Sequence, residues 1–173
     1  MAFVGISRDM ALNTRQNGSL ADAGLLDVTN RRLLAELQVD ARLSLAELGR
    51  RVGLSSPAVA ERLRRLEDEG VISAYRAELN PRALGFNLGV LIRIRPAPRQ
   101  LAQVADLARE TPEVVECHRV TGDDCYVMTA WVRDVEHLEQ VIDQFTPYGQ
   151  TTTSIMQSSP VPRRGVALAD VAG

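Results

Sequence analysis

Three blocks of apolar residues recur at helical spacing early in the chain. In the first block, leucines three, four and seven residues apart predict a helix over about 27–39, and Asp27 stands where an N-cap belongs. A short second block covers 45–52 after a capping serine, and a longer third block covers 55–70 and ends on a glycine. The pattern therefore predicts a small unit of three helices.

After Gly70 the spacing changes from helical to alternating. Residues 71–79 alternate well enough to predict a strand, which Asn80 and Pro81 end before a connecting stretch. Strand-like and helix-like segments then follow in the order β-α-β-β-α-β. Their predicted bounds are 88–95, 101–110, 114–121, 125–132, 135–145 and 151–160. This order is typical of a ferredoxin-like domain, whose two helices cover one face of a four-stranded antiparallel sheet.

The fold class expected from these patterns is α+β, an N-terminal winged-type helix-turn-helix followed by a ferredoxin-like βαββαβ domain. In the first strand of the second domain, Leu91 lies between Val90 and Ile92, so both faces of that strand are expected to be apolar. An uncovered apolar sheet face predicts a homo-oligomer. The predicted organisation is a flexible arm over 1–24, a helix-turn-helix over 25–74, a linker over 75–87, the ferredoxin-like domain over 88–162 and a tail over 163–173.

The second and third predicted helices flank a tight turn at Gly53, where a positive φ is expected. In a helix-turn-helix the second helix of such a pair lies in the major groove of DNA, with its N-terminal part nearest the bases. Short side chains there let the backbone approach, and arginines reach phosphate or guanine. The predicted DNA-binding residues are Arg50, Arg51, Ser55, Ser56, Ala58, Glu61, Arg62 and Arg65.

The charge pattern supports this interpretation only in part. The formal net charge of −2 argues against nucleic acid, but the 20 basic residues are all arginine and several cluster in the predicted helix-turn-helix. A GC-rich genome is an alternative explanation of an all-arginine composition, and the same helix spacing also occurs in enzymes and protein-binding modules. In the third helix, acidic residues gather at the C-terminal end, away from the part expected to meet DNA.

Other classes of site find little support in the sequence. The apolar run 88–94 is far too short to cross a bilayer, and the first 24 residues lack the pattern of a secretory signal, so a cytoplasmic protein is expected. Two cysteines and two histidines without CxxC or HxxxH spacing predict no metal, and no cofactor is expected. No nucleophile and base stand at a recognisable spacing, so the chain is not expected to be an enzyme.

Several motifs spread over nearly the whole chain carry a family resemblance. They include Asp40-Ala41-Arg42-Leu43-Ser44, Val52-Gly53-Leu54-Ser55, Leu79-Asn80-Pro81 and Val120-Thr121-Gly122-Asp123. The chain closely resembles the Lrp/AsnC family, the leucine-responsive or feast/famine transcriptional regulators. The resemblance implies homodimers, often stacked into octameric rings, and an amino acid effector.

The resemblance also implies where the effector binds, near the loop between the second and third strands of the C-terminal domain. Carboxylates there would accept hydrogen bonds from the ammonium of an amino acid, and hydroxyls of a facing strand would donate to its carboxylate. By motif, the effector residues are Gly122, Asp123, Asp124, Tyr126, Thr152, Thr153 and Ser154. The chain departs from the family at Cys125, where an acid is common, and in an N-terminus about twenty residues longer. The alternative is a simple hairpin turn and a β-prone edge strand.

The expected function is that of a sequence-specific DNA-binding transcriptional regulator modulated by a small effector such as an amino acid. A symmetric dimer would bind a pseudo-palindromic site on double-stranded DNA, with half-sites about one helical turn apart or a multiple of it. An architectural DNA-binding protein without an effector is the alternative, and an enzyme on a ferredoxin-like domain is a weaker one. Only the first of these changes its DNA affinity when an effector binds.

Overall fold

The structure is a computed structural model that describes residues 24–168, so the predicted N-terminal arm lies almost entirely outside the described residues. The chain divides into two compact units. Among the described residues, the first contains 24–76 together with 165–168, and the second contains Ala77–Arg164.

The first unit is built from three helices whose predicted bounds are confirmed to within two residues. They are α1 (Val28–Val39), α2 (Leu45–Val52) and α3 (Ser56–Asp68). The side chain of Asp27 caps α1 by accepting a hydrogen bond from the backbone N–H of Asn30, and Ser44 caps α2 in the same way. Each helix therefore begins where its capping side chain replaces a missing backbone partner.

The three helices pack their leucine and valine faces together. Leu33, Leu48, Val59 and Leu66 are almost completely buried in this core. Between α2 and α3 the chain turns at Gly53, which has the predicted positive φ of 74°. Gly49 is also required, because a Cβ there would lie 2.4 Å from the carbonyl oxygen of Leu54. This close approach fixes how α3 leaves α2.

The prediction of a strand over 71–79 is wrong, although the predicted fold class is confirmed. Residues 73–80 form no regular structure, and no neighbouring strand offers them hydrogen bonds within the described part of the chain. Alternation alone cannot make a strand, since the backbone groups need a partner ladder. The segment is attached instead to α3, where the Tyr75 hydroxyl donates to Glu67 over 2.8 Å.

The second unit has the predicted β-α-β-β-α-β order. Its elements are β1 (Leu88–Pro96), α4 (Leu101–Glu110), β2 (Val114–Arg119), β3 (Tyr126–Val132), α5 (Val135–Phe145) and β4 (Gly149–Ile155), with short 3-10 turns at Pro81–Leu84 and Thr146–Tyr148. The antiparallel sheet has the order β2-β3-β1-β4. β4 ends before residue 160 because Ile155 pairs with Val90 close to the start of β1, beyond which β4 has little left to pair with.

The two faces of this sheet differ in character. One is covered by α4 and α5 and contains Ile92, Met128 and Phe145, all fully buried. The other face carries Leu91 and Trp131, but also Arg93 and Arg95. The expectation that both faces of β1 are apolar is therefore wrong toward its C-terminal end, where the two-residue period puts both arginines on the uncovered side.

Candidate nucleic-acid interface and effector loop

The outward face of α3 is defined by the residues that its inner face buries. Val59, Leu63 and Leu66 are buried in the core, and each residue advances by about 100° around a helix. Glu61 and Arg64 therefore lie on the opposite, exposed side. At the start of α3, Ser55 makes no side-chain cap hydrogen bond, which leaves the N–H groups of the first turn available to a phosphate.

Arg62, one of the predicted DNA-binding residues, is tied into the first unit. Its Nη1 donates to Asp27 Oδ2 over 2.7 Å and to Asn30 Oδ1 over 2.9 Å. Asn30 is itself buried and donates through Nδ2 to the Leu25 carbonyl oxygen over 2.7 Å. The guanidinium of Arg62 therefore joins α3 to the start of α1.

Arg50 and Arg51 share the carboxylate of Glu47 at the end of α2. Arg50 Nη2 lies 2.6 Å from Glu47 Oε1, and Arg51 Nε lies 2.7 Å from the same oxygen. Hydrogen bonds from these two arginines lower the pKa of Glu47 to about 2. Arg51 also bonds Glu36 of α1 over 2.6 Å, whereas the side chain of Arg50 is 73% exposed. Arg50 is thus the more available of the two for a DNA backbone.

The remaining predicted residues lie around one side of α3. Arg65 is exposed and forms no ion pair with any residue between 24 and 168. Together with Ala58 and Glu61 it lines a shallow cavity of about 380 Å³. Ser55 and Ser56 stand at the N-terminus of the helix. Arg64 is not among the predicted residues, although a helical projection centred on Val59 and Leu63 places it on the exposed side of α3.

The loop predicted to hold the effector is anchored to β1. Gly122 adopts a φ of 108°, and the two acids after it face the arginines of the uncovered sheet face. Arg95 donates through Nε to the carbonyl oxygen of Asp123 over 2.9 Å, and its Nη2 lies 3.2 Å from the Asp123 carboxylate. Asp124 lies 3.9 Å from Arg93. Sequence reasoning found the acids but missed the arginines, which are some thirty residues earlier in the chain.

The other predicted effector residues divide between the two sheet faces. The register pairs Thr152 with Arg93 and Ser154 with Leu91, so their side chains share the uncovered face with both arginines. Thr153 pairs with Ile92 and faces the helices. Tyr126 is buried on that side too, and its hydroxyl donates to the Leu101 carbonyl oxygen over 3.1 Å. The structure thus brings Asp123, Asp124, Thr152 and Ser154 to one face and turns Tyr126 and Thr153 away.

Membrane and metal sites find no support in the part of the chain that the structure describes. Among residues 24–168, no helix is long and apolar enough to span a bilayer. Within the same range, no three histidine, cysteine or acidic side chains form a group that could hold a metal ion.

Comparison with known proteins assigns both parts of the chain to one family. The AsnC-type helix-turn-helix domain matches residues 26–67, and the Lrp/AsnC ligand binding domain matches residues 89–166. An uncharacterized HTH-type transcriptional regulator of Bacillus subtilis (strain 168) is 39% identical over 78% of this chain and 95% of its own length. The leucine-responsive regulatory protein of Escherichia coli (strain K12) is 39% identical over 69% of this chain and 74% of its own.

Solved structures agree with this assignment. The feast or famine regulatory protein from M. tuberculosis, complexed with L-methionine, superposes with a TM-score of 0.77 at 33% identity, over 82% of this chain and 98% of that one. The named relatives are transcriptional regulators and not enzymes. With family models matching both of its halves, the chain belongs to the Lrp/AsnC family of helix-turn-helix transcriptional regulators, which bind DNA.

Proposed function

We propose that this regulator changes its DNA affinity when a free amino acid binds beside the loop at Gly122–Asp124. The observation that carries the proposal is the pairing of opposite charges there, Asp123 with Arg95 and Asp124 with Arg93. An amino acid is a zwitterion, so its ammonium needs acceptors and its carboxylate needs donors within a few ångströms of each other. Such a site offers both, and related regulators have been solved with L-methionine bound.

In the proposed complex each half of the zwitterion replaces one half of an existing ion pair. The carboxylates of Asp123 and Asp124 accept hydrogen bonds from the ammonium. The guanidinium of Arg93, or the hydroxyl of its register partner Thr152, donates to the effector carboxylate. Because the side chains of these ion pairs are between about one-third and nine-tenths exposed, exchanging them for a ligand costs little.

On the DNA side, we propose that α3 enters the major groove and that Arg50, Arg65 and the first turn of α3 bind the phosphate backbone. The uncovered sheet face, with exposed Leu91 beside Trp131, supports assembly into a homodimer, which is the unit expected to recognise a pseudo-palindrome. An octamer built from dimers is the larger assembly proposed. We propose that the regulator acts in the cytoplasm, where its chromosomal target lies.

The test is DNA binding by mobility shift at stated salt, on fragments upstream of the protein's own gene and its neighbours, with each of the twenty amino acids. We expect one amino acid or a small chemical group of them to change the affinity. The double variant Asp123→Asn, Asp124→Asn should bind the same DNA but lose that response. The matched control Asp106→Asn changes a surface acid on α4 and should keep it. DNA binding that no amino acid changes would favour the architectural alternative.

A further inference from the structure

We infer that Arg64 and Glu61 form a single reading unit that recognises, in the major groove, a guanine and a cytosine of the neighbouring base pair. The inference rests on the proposal that α3 is the helix inserted into DNA. Both side chains are about two-thirds exposed and lie on the face of α3 opposite its buried residues. Neither is used in holding the three helices together.

The guanidinium of Arg64 is oriented by two acids of its own helix. Its Nη2 and Nε donate to the two carboxylate oxygens of Glu61 over 2.6 and 3.3 Å, and its Nη1 lies 3.4 Å from Asp68 Oδ2. Arginine has five N–H donors, so one remains on each terminal nitrogen. Because the Arg64 side chain is 63% exposed, a ligand can reach these two donors from outside, and a guanidinium fork matches the O6 and N7 acceptors of guanine.

The charge around Arg64 favours a base over a phosphate. Glu61 and Asp68 carry two negative charges against the single positive charge of Arg64, so the immediate surroundings of the Arg64 guanidinium do not attract a phosphate. The edge of a guanine is neutral and presents acceptors, which the oriented fork can bind without that repulsion. Phosphate binding falls instead to arginines such as Arg65, which has no acid bound to it among the described residues.

In the proposed reading unit Glu61 also binds a base directly. Its carboxylate has about four acceptor positions, of which Arg64 occupies two. The free positions suit the N4 amino group of a cytosine, which a glutamate accepts in the major groove. A cytosine close to the guanine would therefore be bound by the same ion pair.

The hydrogen bonds from Arg64 to Glu61 and Asp68 also order the Arg64 side chain before DNA binds. Less conformational entropy is therefore lost when the complex forms.

Site selection from a random pool of double-stranded DNA tests the inference with the full chain. The wild type should enrich half-sites with a guanine at one fixed position. Arg64→Lys keeps the charge but loses the fork, and should reduce the preference for guanine there at least about fivefold. Glu61→Gln should change the preferred neighbouring base from cytosine to adenine, since glutamine pairs with adenine.

Two controls separate the possible failures. Arg65→Ala should weaken binding to all sequences and lower the salt slope by about 1, with the selected bases unchanged. If Arg64→Lys or the second variant Arg64→Gln selects the same bases with the same discrimination, the reading unit is wrong although the regulator stands. If Arg64→Gln behaves like Arg65→Ala, Arg64 binds phosphate and the inference is again overturned. If the wild type enriches no sequence, it is sequence-specific binding itself that fails. Circular dichroism on each variant verifies that the helices remain.

Discussion

Arg62 of α3 donates a hydrogen bond to Asp27, the N-cap of α1, with 2.7 Å between Nη1 and Oδ2. Burial raises the pKa of Asp27, but the hydrogen bonds from Arg62 and from the backbone of Asn30 outweigh it and leave the pKa below its usual value. The carboxylate thus caps one helix and holds another at the same time. A residue predicted to bind DNA is therefore part of what shapes the DNA-binding unit.

Arg62→Ala should lower the free energy of unfolding of the first unit by about 1 kcal/mol. The variant loses two charge-assisted hydrogen bonds, and the partial exposure of the pair limits the cost. Urea denaturation followed by circular dichroism measures it. Arg65→Ala is the matched control and should leave stability within about 0.5 kcal/mol of the wild type. Equal stabilities of the two variants would contradict the structural role of Arg62.

The contrast between these arginines shows what sequence patterns can and cannot supply. Helical spacing and capping residues are local signals, and they predicted the bounds of α1, α2 and α3 well. The partner of Arg62 lies 35 residues away, so no local pattern could distinguish it from Arg65. The same holds for Arg93 and Arg95, which meet the loop at Gly122–Asp124 only because β1 and β3 are neighbours in the sheet. The prediction of a strand over 71–79 failed for a related reason, since a strand depends on a partner that its own sequence does not reveal.

Glu47 should remain ionised to unusually low pH. Its folded pKa of about 2 is below the usual 4.5, so the stability that it contributes is present above about pH 4.5 and is lost as the pH falls through 2. Titration of its side-chain carboxyl by NMR measures this directly. Arg50→Gln should raise the pKa toward the usual value, whereas Arg42→Gln, which changes an arginine that makes no contact with Glu47, should not. An unshifted titration in the wild type would show that the arginines do not hold this carboxylate in solution.

Tyr126→Phe should destabilise the second unit by about 1 kcal/mol, because the half-buried Leu101 carbonyl oxygen loses the hydroxyl that donates to it. Since Tyr126 faces the helices and not the uncovered face, the amino acid response of DNA binding should be retained. Thermal unfolding and the mobility shift together measure both effects. The conservative variant Tyr148→Phe serves as a control for stability. Loss of the response in a folded Tyr126→Phe protein would show that Tyr126 does belong to the effector site.

Arg99→Gly should stabilise the chain by up to about 1 kcal/mol. Arg99 has a φ of 70°, and it follows Pro98 in a turn closed by a 3.0 Å hydrogen bond from Gln100 N–H to the Ala97 carbonyl oxygen. The third position of such a turn favours glycine, because a Cβ is strained at positive φ. Arg99→Ala removes the same side chain but keeps the Cβ, so it should give no gain. Chemical denaturation of the three proteins compares them.

Trp131 gives the uncovered sheet face a spectroscopic label of its own. It is the single tryptophan of the chain, and its ring packs against Gly89, where a Cβ would meet it at 3.1 Å. When another molecule covers that face, the indole leaves water and its emission shifts to the blue. Because the helix-turn-helix contains no tryptophan, this fluorescence reports, in an unlabelled protein, on whatever covers the sheet face and receives no contribution from α3.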